Sequence, residues 1–337
     1  MPARGRTRAK LAVFLLVGCI AIAMAAVGSL AFGSTAIPLE KVVQALVSPD
    51  LTDSQQIAVV ELRVPRTVGD ILVGAAFAVA GAIMQGVTRN PLADSGLLGI
   101  NAGASFALAL CLAFFPAFGF TGSVVFSFVG AAGAMALVYG LTSVGHRQPD
   151  PVRLVLAGCV VGMLLSALSQ AVAIFANVGQ DLTFWTAGGV AGIRMKQLAL
   201  AGPVIGVGLV ASLVLARRIS LLSLGDDAAR GLGVSIERTR IICMVVVLLL
   251  AGAAVALAGP IAFVGLMVPH VARHFVGASY QAIIPASAVL GAVFMLVADI
   301  ISRVIDAPSE VPIGLVFAVI GVPFFIWIAR REERAFE

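Results

Sequence analysis

Two histidines, His270 and His274, stand four residues apart in an otherwise apolar stretch. On a helix that spacing puts both rings on one face, where they could hold a metal ion. No third ligand lies near them in the chain, so ordinary packing is the reading the sequence favours. Asp299 and Arg303 share the spacing, which suits an ion pair along one helix face. Four cysteines, Cys19, Cys111, Cys159 and Cys243, sit singly inside apolar runs with no CxxC pair. They read as small buried hydrophobes and not as a redox or metal site. The constellations of an enzyme are missing: the chain has no GxxxxGK[ST], no HExxH and no GxSxG. Its lysines, Lys10, Lys41 and Lys196, lie in no glycine-rich loop, so a P-loop is excluded and any ATP hydrolysis must come from a separate subunit. The chain is expected to be a non-enzyme with no cofactor.

The elements that position these residues are set by composition. Of 337 residues, 60% are hydrophobic and 12% charged, against roughly half and a quarter in soluble domains. A bilayer can solvate that much apolar surface. The net charge of +5 is scattered between apolar runs and makes no basic stripe for nucleic acid. Candidate spans are 11–32, 66–86, 96–115, 121–142, 153–176, 197–216, 240–262, 266–276, 281–303 and 312–329. The expectation is an all-α polytopic membrane protein of about ten transmembrane helices, forming one permease-like domain over 1–337. The segment 266–276 is too short to cross alone and must be sheltered by protein. Glycines inside the spans, such as Gly74, Gly81, Gly130, Gly133 and Gly162, suit close helix approach.

The run 11–32 follows Arg4, Arg6, Arg8 and Lys10 and is longer than the ~7–15 apolar residues of a signal peptide, so it reads as a retained span, with a cleaved signal as the alternative. With both termini cytoplasmic, 16 of the 22 basic residues, Arg147 among them, fall on the inner side. Lys41, Arg63, Arg66, Arg194, Lys196 and Arg303 remain outside, a bias that supports this orientation.

The polar segments mark both faces. Arg89, Asn90 and Pro91 form a tight inner turn, since Pro91 disfavours helix at Asn90, and Asp94 stands near the start of the next helix. The stretch 220–240 is polar and cytoplasmic. Within it DDAARGL reads as a short helix with Asp226 and Asp227 in its first turn, closed by Gly231 or Gly233, which suits a rigid element docking into another protein. On the outer side Arg303 is expected at the surface, with Asp306 and Glu310 in the loop beyond.

RVPRT, GAIMQGVTRNPLADSGLLGINAGAS, GPIAFVGLMVPHVARHFVG and DIISRVIDAPSEVPIGLVFAVIGVPFFIWI, in order from about residue 60 to 330, closely resemble the FecCD family. These are permease subunits of binding-protein-dependent ABC importers for ferric siderophores, haem and cobalamin. The resemblance implies a cobalamin-importer-permease-like bundle in a bacterial inner or plasma membrane. It also implies a second permease copy or paralogue, two ABC ATPases on the cytoplasmic side, an extracytoplasmic substrate-binding protein and a ferric chelate as cargo. It makes Arg63, Arg66 and Arg303 outer arginines that dock the binding protein, consistent with the paired fork that guanidinium offers a carboxylate. It makes the stretch around Leu224, Gly225, Asp226, Asp227, Ala228, Ala229, Arg230, Gly231, Leu232 and Gly233 the ATPase-coupling segment. Siderophore leads as cargo, with haem or cobalamin as alternatives. An ion-driven secondary transporter is the rival class; it would place ionisable groups near mid-membrane, where Asp299 is the best candidate.

Overall fold

A long apolar segment in lipid must satisfy its backbone N–H and C=O groups internally, and a helix does so. The computed structural model describes residues 2–33, 35–50, 52–143 and 151–336, so Arg147 lies outside the described residues. These contain helices and no strand. In chain order the helices are α1 (Pro2–Ala31), α2 (Leu39–Val47), α3 (Ser54–Ala58), α4 (Val64–Thr88), α5 (Ile100–Phe114), α6 (Gly119–Ser143), α7 (Pro151–Phe175) and α8 (Gly179–Thr186). They continue with α9 (Met195–Leu222), α10 (Asp226–Gly231), α11 (Ile236–Val247), α12 (Ala253–Ala258), α13 (Val264–Val276), α14 (Tyr280–Val304) and α15 (Ile313–Phe336). A π-turn at Val59–Arg63 joins α3 to α4, and another at Leu248–Gly252 joins α11 to α12.

Among the described residues seven helical segments are long and apolar enough to span a membrane. The spans expected at 96–115 and 312–329 are shorter apolar helices, Ile100–Phe114 and Ile313–Ile326. The expected 266–276 segment is α13, 13 residues long and largely buried.

The core is built around α4, whose residues from Val73 to Val87 are all buried. Small residues make that possible by letting backbones touch. A Cβ on Gly81 would stand 1.9 Å from the Gly265 carbonyl oxygen of α13, and one on Gly74 2.3 Å from the Gly291 oxygen of α14. Gly103 of α5 and Gly130 of α6 meet in the same way, at 2.3 Å from either side. Gly133 and Gly162 were expected at such crossings, but Gly133 meets nothing within 4 Å and Gly162 touches Ala102 alone at 4.0 Å.

Irregular backbone between α12 and α13 is held by protein. The Ala258 oxygen accepts from Gly189 N at 2.8 Å, and Phe263, left-handed at φ 69°, packs its ring on Gly321 of α15. One expectation needs correction. Cys19 and Cys159 are exposed on the surface of this chain, whereas Cys111 and Cys243 are buried. After α1, helices α2 and α3 fold over its end, tied by Lys41 to Asp53 at 3.0 Å. That hydrogen bond is the main cause holding the Asp53 carboxyl below its ordinary range.

Candidate functional site

Polar side chains gather at the two ends of the bundle. At one end, α4, α14 and the loop after α14 bring together Arg63, Arg66, Asp70, Asp299, Arg303 and Glu310. Asp299 is fully buried and takes Arg66 Nη2 at 2.8 Å and Nε at 3.0 Å. Arg303 Nη2 pairs with its second oxygen at 2.8 Å, the i, i+4 pair expected from sequence. Arg66 also forks onto Glu310, with Nη1 at 2.9 and 3.0 Å from the two carboxylate oxygens. Asp70, one turn into α4 from Arg66, is fully buried, has neither oxygen hydrogen-bonded, and faces Asp299, Arg66 and Arg303. Asp299 thus serves two guanidiniums and Arg66 two carboxylates, so these charges are paired as a low-dielectric site requires.

Two of these arginines also do a second job. The final carbonyls of a helix lack intrahelical donors. Arg63 Nη1 donates to the oxygens of Leu30 and Ala31, at 2.7 and 2.9 Å, and its Nη2 to that of Thr35. Arg303 Nη1 donates to the oxygens of Ser29 and Phe32, at 3.0 and 3.1 Å. The end of α1 is therefore capped from other helices, with cations placed where the helix dipole favours them. This corrects the expected surface position of Arg303, which is 2% exposed; Arg63 is 8% and Arg66 9% exposed. Each guanidinium is drawn inward because carbonyl or carboxylate acceptors wait there.

At the opposite end, α4 stops at Arg89, left-handed at φ 54°. Asn90 turns the chain by accepting from Leu92 N at 2.9 Å, just before Pro91 can act as a helix stop, and Asp94 accepts from Gly96 N at 2.8 Å at the head of a short 3₁₀ turn. The expected DDAARGL helix is α10. Gly233, at φ 77°, closes it, as Val234 N reaches back to the Ala229 oxygen at 3.0 Å. Ala229 is buried and Asp226 half-buried against the bundle, while Asp227, Ala228, Arg230, Gly231 and Gly233 face outward. Leu224 and Leu232 flank this face, 65% and 60% exposed. Among the described residues no group of three or more His, Cys, Asp and Glu side chains is arranged to hold a metal ion. His270 instead packs edge-on against Phe324, and His274 against Phe275.

A model of the FecCD transport family matches residues 17–331. The chain belongs to that family. FecCD relatives include the iron(3+)-hydroxamate import system permease protein FhuB of Bacillus subtilis (strain 168), 42% identical, covering 96% of this chain and 84% of FhuB. The Fe(3+)-citrate import system permease protein YfmD of the same organism is 43% identical over 82% of each chain. A solved structure described as an inward-facing conformation of a metal-chelate type ABC transporter superposes with a TM-score of 0.81 at 28% identity. It covers 94% of this chain and 98% of its own. The FecCD chain is a multi-pass membrane protein of a transport-permease family.

Sequence reasoning about this FecCD chain missed Asp70 and the α1 cap. Asp70 carries a readable signal, a carboxylate directly before the apolar run of Ile71, Leu72 and Val73 and inside a candidate span. The cap carries none, because its acceptors are backbone oxygens that any residue supplies.

Proposed function

We propose that this chain is the permease of a bacterial ABC importer for ferric siderophore, lying in the cell membrane with both termini cytoplasmic and driven by two separate ATPase subunits. The observation that carries the reading is the likeness to FhuB across 96% of the chain. Transport proceeds by alternating access: ATP binding moves α10, the helices around α4 rearrange, and the chelate passes without chemical change. The outward face of α10, with Leu224 and Leu232 held in solvent, supports the role of 224–233 as ATPase contact. A partner permease is supported by α7, which exposes Ser166 and Gln170 in an apolar span. Hydrocarbon would leave that amide unpaired, whereas a second copy or an aqueous path would satisfy it.

The arginines acquire unequal roles in docking. Arg63 and Arg303 are committed to the end of α1, whereas Arg66 touches Glu310, whose side chain is 35% exposed. A carboxylate of the binding protein would reach Arg66 by taking the place of Glu310.

The test is uptake into proteoliposomes holding the permease, its ATPases and its binding protein, with radioactive iron offered as hydroxamate, catecholate, citrate and haem complexes and with labelled cobalamin. ATP-dependent uptake of a siderophore complex is expected. The buried carboxylates Asp70 and Asp299 are what would favour an ion-driven carrier. Uptake that survives removal of the ATPases and collapses with the ion gradient would establish that reading instead.

A further inference from the structure

Asp226 opens α10, and it is the only residue of that helix that forms an ion pair outside it among the described residues. Its Oδ1 accepts from Arg89 Nη2 at 2.7 Å and from Arg240 Nη2 at 3.1 Å, and Oδ2 stands 3.2 Å from the same Arg240 nitrogen. Arg89 is the C-terminal cap of α4 and Arg240 lies in α11. One carboxylate therefore fastens α10 to two helices of the bundle, one of them the most buried. Its neighbour Asp227 is fully exposed and pairs with Arg230 inside α10. An acid in the first turn suits the helix dipole, but Asp227 alone would serve that purpose.

The backbone on both sides of the joint is unusual. Gly225, which aims Asp226 inward, has φ 112°, and Arg89 is one of three non-glycine residues with positive φ among the described residues. A left-handed conformation costs a non-glycine residue roughly 1–2 kcal/mol and persists where surrounding contacts hold it. At Arg89 the neighbouring contacts are the turn in which Asn90 Oδ1 accepts from Leu92 N and the charged bond from the guanidinium to Asp226.

From Arg89 the connection continues up α4. Gln85, one turn earlier, donates to the Gly265 and Leu266 oxygens of α13 at 3.3 and 3.2 Å. Four residues further in, Gly81 touches α13 backbone to backbone. A displacement of α10 thus has a charged link into α4 and a rigid contact from α4 into α13.

We propose that Asp226 is the positioning residue that passes movement of α10 to α4 and α11. This rests on the reading of α10 as the ATPase contact. An amide at 226 would keep the shape but lose the anion, leaving Arg89 and Arg240 to repel each other at the same place. Movement of α10 would then be spent in the loop and not carried into the bundle.

The experiment compares wild type, Asp226→Asn and Asp226→Glu in the complete importer, reconstituted with its ATPases and binding protein. The quantity read is ATP hydrolysed per chelate transported. That ratio is expected to rise about tenfold in D226N, the change that follows from removing ~1.4 kcal/mol of coupling, and to return toward wild type in D226E. Arg89→Gln is expected to raise the ratio similarly, with the double variant D226N/R89Q no worse than either single one, since both break one link. If D226N does not assemble, R89Q alone decides. A photo-crosslinking residue at position 232 reports in parallel whether α10 meets the ATPase. A wild-type ratio in D226N or R89Q with that crosslink present overturns the joint and leaves the α10 reading standing. No crosslink in the otherwise unmodified complex overturns both.

Discussion

Replacing Asp299 with asparagine separates an internal brace from a docking surface. The substitution keeps shape and removes one charge from a fully buried site that serves two guanidiniums. Breaking a buried ion pair by neutralising one partner costs about 3–5 kcal/mol, because the remaining charge stays desolvated. Arg66 would retain Glu310, and Arg303 would retain the oxygens of Ser29 and Phe32. Those remaining partners place the expected loss at about 3 kcal/mol, toward the lower end of that range. That corresponds to roughly a hundredfold fall in the folded-to-unfolded ratio. Glu310→Gln is the internal comparison. It removes a pair whose acid is 35% exposed, and screening by solvent limits the loss to about 0–1 kcal/mol. The assay is reversible unfolding of the purified permease in mixed micelles titrated with denaturing detergent. D299N should lower the midpoint well below that of E310Q. Equal midpoints for the two variants would refute the claim that the arginines are held from inside.

Three other outcomes follow from the same geometry. Arg63→Gln strips charged donors from the end of α1 and should cost about 2–3 kcal/mol in the same titration, with reduced yield of folded protein. Gly81→Ala should cost about 3 kcal/mol, at the upper end for overpacking, because the atom it strikes is a backbone oxygen that cannot rotate away. Gly133→Ala, in open space within a helix, should instead gain about 0.5–1 kcal/mol in the monomeric permease.

How much of this was legible in the sequence differs by kind of interaction. Long apolar runs located α7 and α14 to within two residues, because lipid leaves such runs one conformation; α1 begins nine residues before its apolar run and α9 continues six past its own, where charged residues still fit a helix. Glycine and acid spacing located α10, and Pro91 with Asn90 located the inner end of α4. The helix Leu39–Val47 lies outside every expected span: Leu39, Val42, Val43 and Leu46 carry a helical period, but the segment is too short and, with Glu40 and Lys41, too charged to cross a membrane. The outer arginines were found, but their direction was not. Arg66 meets Asp299 across 233 positions of sequence, and Arg63 meets carbonyls that leave no mark in residue type. The glycines show the same limit: Gly81 and Gly133 look alike in sequence, and only the neighbouring helix decides which one is indispensable.

The backbone crossings at Gly74–Gly291, Gly81–Gly265 and Gly103–Gly130 also constrain how the bundle can deform. Larger side chains at a crossing mesh like gear teeth and lock the angle between two axes. A bare glycine contact fixes how near the axes come yet resists tilting little, so each crossing behaves as a fulcrum. With α4 pinned this way to α13 and to α14 at different heights, the low-cost motion is scissoring about those points. A transporter assembled so can widen one end while narrowing the other without pulling its centre apart.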